Sequence, residues 1–288
     1  MAIAPPRAAA LLLAGSLLAP TPASPPASAY SSPPRICGPH AAPAGAHGAS
    51  GGAAARGARD RAQTLQVALA AGDELKMGNG TLRSFTRTDP AGAVTAVGVR
   101  FDEASLDALP ATGTELVLPL GPEAAPFKEI AVNWNPQGHE PPGIYDVPHF
   151  DFHFYTIDER GRDAITTDEA GLARVSKAPP AGRVPAGYVA TPGGVPRMGA
   201  HWVDPSAFPE LHGGTFASSP IIGYFDGELT FYEPMVALSY LRSKPNLRST
   251  LKEPPEVSVH GRYPTAYSVA FDPASREYTI ALEGMRAR

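Results

Sequence analysis

Polar and aromatic side chains alternate without a break over residues 147–155, in the order Val-Pro-His-Phe-Asp-Phe-His-Phe-Tyr. Successive side chains of a β-strand point to opposite faces. The pattern therefore predicts a strand with Phe150, Phe152 and Phe154 on a core face and His149, Asp151 and His153 on the other. The same period of two predicts strands at 65–69, 81–88, 93–101, 114–120, 127–134, 215–224, 228–236, 263–271 and 277–282. Asn79-Gly80 and Asp226-Gly227 read as two-residue hairpin turns, because both central residues tolerate positive φ. Asp89-Pro90-Ala91-Gly92 and Asp272-Pro273-Ala274-Ser275 read as two further turns. Helical signals are short. One or two turns fit 103–109, and 236–243 could continue its strand as a short helix. A third piece spans 167–177, with Thr166 or Thr167 as N-cap and Asp168 and Glu169 in its first turn. Residues 184–203 are Pro-rich and irregular. About ten strands, few helices and no βαβ rhythm predict a mostly-β chain, an antiparallel barrel or sandwich.

Composition changes the picture at the start of the chain. Arg7 precedes an apolar run over 8–19 that is shorter than the roughly 20 residues a membrane-spanning helix needs, and Ala27-Ser28-Ala29 offers a cleavage pattern. Residues 1–29 read as a signal peptide, which predicts a secreted or cell-envelope protein with no transmembrane segment in its mature chain. Residues 30–62, rich in Pro, Gly, Ala and Ser, read as a disordered linker; His40 and His47 fall in it as solvated side chains and Cys37 as a linker thiol. Residues 63–288 are left as a single β-rich domain. A single cysteine excludes an internal disulfide framework and a multi-cysteine zinc site. A net charge of -4, with no basic stripe, speaks against a nucleic-acid partner.

A row of His149, Asp151 and His153 is costly to place unless it meets water, a metal or polar partners. Neighbours on one strand face lie about 6.5–7 Å apart, so His149 and His153 are roughly 13 Å apart along a straight strand. The better local ligand pairs are His149 with Asp151, or Asp151 with His153. Two more residues look able to converge on them: His201, next to Trp202 after Gly199-Ala200, and Glu233, which interrupts an apolar strand end. Imidazoles and a carboxylate suit Zn, Mn, Fe, Ni or Cu. The candidate metal ligands are thus His149, Asp151, His153, His201 and Glu233, with Asp151 and Glu233 as the candidate catalytic groups. A metal-free dyad of Asp151 with a histidine is an alternative, and a wet, hydrogen-bonded crevice is the plainest one. The rigid Pro/Gly loop over 135–143 could hold polar groups at the mouth of a site or serve only as a connection. His212 and His260 sit in loop contexts and are not counted. Phosphate-binding glycine loops, a nucleophile-elbow serine and helical zinc motifs are absent from the sequence.

The run Gly138-His139-Glu140-Pro141-Pro142-Gly143-Ile144-Tyr145-Asp146-Val147-Pro148, followed by His149-Phe150-Asp151-Phe152-His153-Phe154-Tyr155, resembles a bacterial family of exported domains of unknown function. Trp134-Asn135-Pro136, Met198-Gly199-Ala200-His201-Trp202, Tyr224-Phe225-Asp226-Gly227 and Phe231-Tyr232-Glu233-Pro234-Met235 extend the resemblance over about 76–278. It implies a mostly-β fold and export, and it brings no established activity. Two functional expectations follow. One is an exported, metal-dependent β-barrel protein, cupin-like by analogy of ligand type and fold class, with a small-molecule ligand. The other is a non-catalytic binding or self-assembling protein, a homo-oligomer in which the His-Asp-His face is a hydrogen-bonded network.

Overall fold

A computed structural model describes residues 68–288 of the chain. The expected signal peptide and the whole of the expected linker, with Cys37, His40 and His47, lie outside the described residues. In chain order the strands are β1 (Ala68–Met77), β2 (Gly80–Thr88), β3 (Val94–Asp102), β4 (Thr114–Pro119), β5 (Glu129–Asn135) and β6 (His149–Tyr155). Two short helices follow, α1 (Glu159–Asp163) and α2 (Glu169–Val175). Then come β7 (Val189–Ala190), β8 (Ala200–Val203), β9 (Ser218–Phe225), β10 (Glu228–Ala237) and α3 (Leu238–Arg242). The chain closes with β11 (Asn246–Thr250), β12 (Arg262–Tyr263), β13 (Ala266–Asp272), β14 (Glu277–Glu283) and β15 (Arg286–Ala287).

These strands form two large antiparallel sheets in a sandwich-like arrangement. One runs β1-β2-β3-β14-β13-β11 and the other β4-β5-β6-β10-β9-β8-β7, while β12 and β15 make a small separate pair. The core between the large sheets is aromatic. Phe101 on β3 stacks on Phe152 at 6.3 Å and on Tyr278 at 5.1 Å, and Trp134 meets Phe150 at 4.7 Å. Each such buried ring contributes roughly 1.5–3 kcal/mol of burial free energy. This fixes which face of β6 is turned inward and leaves its His-Asp-His face on the outer side of the seven-stranded sheet. All seven residues of β6 are buried nonetheless, because the outer face has its own cover.

The turn signals resolve differently. Asp226 and Gly227 both have positive φ, 54° and 80°, as a two-residue hairpin of this kind requires. In the first hairpin Met77 pairs with Gly80, so the loop is Gly78-Asn79 and only Gly78 has positive φ. Gly80 serves a different need: a Cβ there would run into the Asp102 carboxylate and the Ser105 hydroxyl. The cap of α2 is Asp168, which accepts from the Gly171 amide at 2.8 Å, and neither Thr166 nor Thr167 takes that place. Within the irregular 184–203 stretch, β7 and β8 form a short pair at the sheet edge. Among the described residues no helix is long and apolar enough to cross a membrane.

Candidate metal centre

Register assembles the outer face of the seven-stranded sheet. Asn133 pairs with Asp151 and Asn135 with His149 across β5 and β6. Tyr232 opposite Phe154 and Met235 opposite Asp151 set Glu233 of β10 across from His153. His201 of β8 pairs with Gly223, which pairs with Phe231, which pairs with Tyr155. One sheet face thus carries His149, Asp151, His153, Glu233 and His201. Tyr145, Phe208 and Phe216 lie over it; Phe216 is edge-on to His149 at 5.5 Å and to Tyr145 at 4.9 Å. Glu210 ties this cover to the sheet by accepting from the Tyr145 hydroxyl at 3.1 Å and from Ser219.

The Pro/Gly loop before β6 adds a ligand that the strand pattern alone does not reveal. Gly138 sits at φ 71°, packed so closely against the backbone of 145–147 that a Cβ would not fit. The His139 amide then donates to the Tyr145 carbonyl at 3.0 Å, folding the loop back over the start of β6. His139 Nε2 reaches Asp151 Oδ2 at 3.4 Å, with its side chain 38% exposed, whereas His149 is fully buried. His139, His149 and Asp151 each offer a ligand atom, all within 4.8 Å of one another, and so could hold a metal ion. The loop's place directly before the central strand was the available signal for His139.

Three imidazoles here share one arrangement. His149 Nδ1 faces the Val147 carbonyl at 2.7 Å, His139 Nδ1 the Glu140 carbonyl at 2.8 Å, and His153 Nδ1 the Asn133 Oδ1 at 3.1 Å. A carbonyl oxygen only accepts, so Nδ1 carries a proton in each ring, and Nε2 is the atom that could turn a lone pair to a metal once it is free of its own proton. Asn133 is held in this orientation because its Nδ2 donates to Glu115 Oε2 at 3.3 Å. Metal-binding histidines have this outer support as a rule.

The Nε2 atoms face carboxylates: His149 to Asp151 Oδ1 at 3.2 Å, and His153 to Glu233 Oε2 at 3.4 Å. Of the two local pairs that the spacing favours, His149 with Asp151 is in contact, while His153 turns to Glu233. Charge-assisted hydrogen bonds are shorter, about 2.7–2.9 Å. The edge of a tetrahedron with metal–ligand bonds of about 2.0–2.1 Å is about 3.3–3.4 Å, which matches these separations better. Asn135 Nδ2 donates to Asp151 Oδ2 at 2.6 Å, but Asp151 Oδ1, His153 Nε2, Glu233 Oε2 and His201 Nε2 are buried without a hydrogen-bond partner. Each such atom costs about 1–3 kcal/mol of lost hydration.

Charge reinforces the arrangement. Burial opposes charge on His139, but the Asp151 carboxylate prevails and raises its pKa to about 9. Burial pushes Asp151 up, and its contacts with His139 and His149 outweigh that, leaving it lowered. His153 is raised by the Glu233 carboxylate against the effect of burial, whereas burial dominates at His201 and lowers it. Phe231 spaces the far end, edge-on to His153 at 4.9 Å and to His201 at 5.6 Å. Gly223 makes room for that ring, since a Cβ there would enter it. Gly223→Ala is expected to cost about 1–3 kcal/mol by overpacking, read as a lower denaturation midpoint; an unchanged midpoint contradicts this role.

Among the described residues the two other histidines lie apart: His212 Nε2 meets the Pro205 carbonyl at 2.9 Å and His260 Nδ1 the Arg288 carbonyl at 3.2 Å, both exposed. A cleft of about 240 Å³, lined by Met77, Leu109, Leu116, Val132, Trp134 and Phe150, opens on the opposite side of the sheet, and its one charged lining residue is Lys76. Comparison of the chain with protein-family models, with curated protein sequences and with solved structures finds no match.

Proposed function

We propose that this is an exported metal-binding protein that holds a divalent transition metal through His139, His149 and Asp151. The carrying observation is the ligand geometry: His139, His149 and Asp151 each bring a ligand atom within 4.8 Å of the others, the two Nε2 atoms face the carboxylate at 3.4 and 3.2 Å, and both Nδ1 atoms are committed to backbone carbonyls. In the non-catalytic alternative the same imidazoles would donate to these carboxylates, His149 to Asp151 at 3.2 Å and His153 to Glu233 at 3.4 Å, separations longer than the roughly 2.7–2.9 Å of charge-assisted hydrogen bonds. Export rests on the N-terminal pattern and on the resemblance of the 138–155 motif to an exported family. A bound ion would supply a Lewis acid or an activated water. In the catalytic version of this reading, cupin-like by analogy, Asp151 is a ligand and Glu233 a proton acceptor beside it. The exposed edge of His139 is where a small molecule would approach.

Thermal unfolding of untagged, chelator-stripped protein tests the reading with Zn, Mn, Fe, Ni and Cu salts. An ion at a hundredfold excess over its Kd adds about 2.7 kcal/mol, roughly 5–10 °C for a domain of this size. His149→Ala should abolish the shift. If no salt moves the unfolding temperature, or the variant responds like the wild type, the metal reading is wrong.

Protons should compete with the ion. His139, with its pKa near 9 against an ordinary 6.5, contributes stability to the ion-free protein that is complete below 6.5 and lost as pH rises through 9. An ion bound at Nε2 must displace that proton. Affinity is therefore expected to rise about tenfold per pH unit between roughly 7 and 9, measured by titration calorimetry in buffers of different ionisation enthalpy. A flat profile with no proton release contradicts ligation by His139.

A further inference from the structure

We infer that the chain binds a small apolar carboxylate, an aromatic ring or short acyl chain that ends in an acid, in the cleft beside Trp134. The cleft lies on the other face of the seven-stranded sheet from the candidate metal centre, so the inference stands without the metal reading. Size is the first observation. Protein interiors rarely leave voids much larger than a water molecule. Further along the same inner face Phe101, Phe152 and Tyr278 fill the space by stacking. Here about 240 Å³ stays open against Met77, Val132, Trp134 and Phe150, all buried, with Leu109 and Leu116 half-buried beside them. A dry cavity of about 150 Å³ takes benzene, so this one has room for a ring and a short tail.

The backbone holds this space open. The loop over 107–110 is fixed at both ends: the Asn79 amide donates to the Asp107 carbonyl at 2.9 Å, and the Trp134 indole N–H donates to the Pro110 carbonyl at 2.8 Å. Between them Ala108 sits at φ 55°, a left-handed conformation that alanine seldom takes. Gly78 meets the same loop so closely that a Cβ would strike the Ser105 and Asp107 carbonyls. Backbone held in this way clusters at ligand sites. With its N–H already engaged, Trp134 has only ring surface to offer, which suits an apolar body.

Charge at the rim selects the other end of the ligand. Lys76 is the one charged residue of the lining, which contains no carboxylate. Its side chain is exposed, and among the described residues its ammonium reaches only the Asn79 carbonyl, at 3.4 Å. Thr114 adds a hydroxyl to the lining. An apolar cleft with a few polar groups at one place takes a ligand of matching polarity. Here that is an acid with its carboxylate at Lys76 and its apolar body against Trp134 and Phe150.

The test titrates 3-phenylpropionate into the full chain carrying Trp202→Phe, which leaves Trp134 as its only tryptophan. A chelator keeps any ion on the other sheet face from taking up the acid. Trp134 emission should change saturably, with a Kd of about 1 mM or below. Uncharged 3-phenylpropanol should bind about three- to fivefold more weakly, and Lys76→Met should remove that preference for the acid, a modest effect because the charge is exposed. Leu116→Phe, which fills the cleft, should abolish binding of both probes. Thr114→Phe, at an exposed strand position, narrows the rim and serves if circular dichroism shows Leu116→Phe unfolded. No saturable change up to roughly 10 mM acid overturns the inference. Equal affinity for acid and alcohol, or a preference that survives Lys76→Met, overturns the anionic ligand class. Binding unchanged in both Leu116→Phe and Thr114→Phe overturns the site.

Discussion

Asp151→Asn is expected to weaken ion binding by at least about 100-fold, the upper range for loss of an outer-shell partner and a lower bound for loss of an anionic ligand. Asp151 touches every part of the candidate centre: His149 at 3.2 Å, His139 at 3.4 Å and Asn135 at 2.6 Å. The amide keeps the shape and can still accept from Asn135, so the fold should survive. The ion-free variant should be modestly less stable at neutral pH. The lowered pKa of Asp151 means that its ionised form stabilises the fold above the ordinary carboxylate range and ceases to do so as pH falls. What separates a ligand from a structural carboxylate is the response to metal. The unfolding temperature of Asp151→Asn should be insensitive to salts that stabilise the wild type. A variant that loses stability yet keeps the full metal-dependent shift would make Asp151 a structural group only.

Arg162→Met should be the most destabilising single change outside the centre, by about 3–5 kcal/mol, the usual cost of leaving a buried charge without its partner. Arg162 is fully buried on α1, bonded to Glu115 at 2.6 Å and Glu129 at 2.7 Å, with its guanidinium 4.4 Å from the Tyr155 ring. Its removal strands Glu129, which is itself buried. Glu115 keeps a second partner, Arg197 at 2.7 Å, so Asn133 and through it His153 should stay oriented. Metal affinity should therefore change only a few-fold while the denaturation midpoint falls sharply. Adding Glu129→Gln should recover much of the loss, because the stranded charge goes with it. If the double variant is no more stable than Arg162→Met, the buried ion pair is not the cause.

The strands with one clean apolar face could be read directly from the chain. β6 is the clearest case: Phe150, Phe152 and Phe154 dictate the face and the histidines follow by alternation. The β9–β10 hairpin was equally plain, since Asp-Gly is one of the few pairs that accept two positive φ values. β11 gave no signal because Leu247 is its only apolar residue and the strand is a half-exposed edge. The five-residue α1, whose N-cap is Asp158, carries no apolar stripe, and what holds it is the long-range pairing of Arg162. Neighbours 33 and 47 residues away cannot be found by local pattern. The centre divides in the same way. Local spacing favours the His149–Asp151 contact. The pairing of His153 with Glu233 depends on β6–β10 register, and the arrival of His139 depends on a loop that turns back at Gly138. His149 and His153 are both fully buried, a cover that strand alternation does not reveal: Phe216, in the 204–217 segment tied down by Glu210, lies edge-on to His149, and Phe231 of β10 lies edge-on to His153.

The most direct test of the central claim is a crystal of the untagged protein grown with zinc and measured on both sides of the zinc absorption edge. The account predicts an anomalous peak within about 2.0–2.2 Å of His139 Nε2, His149 Nε2 and an Asp151 oxygen. A map with no anomalous peak on that sheet face, and ordered water or direct hydrogen bonds between those atoms instead, would contradict it.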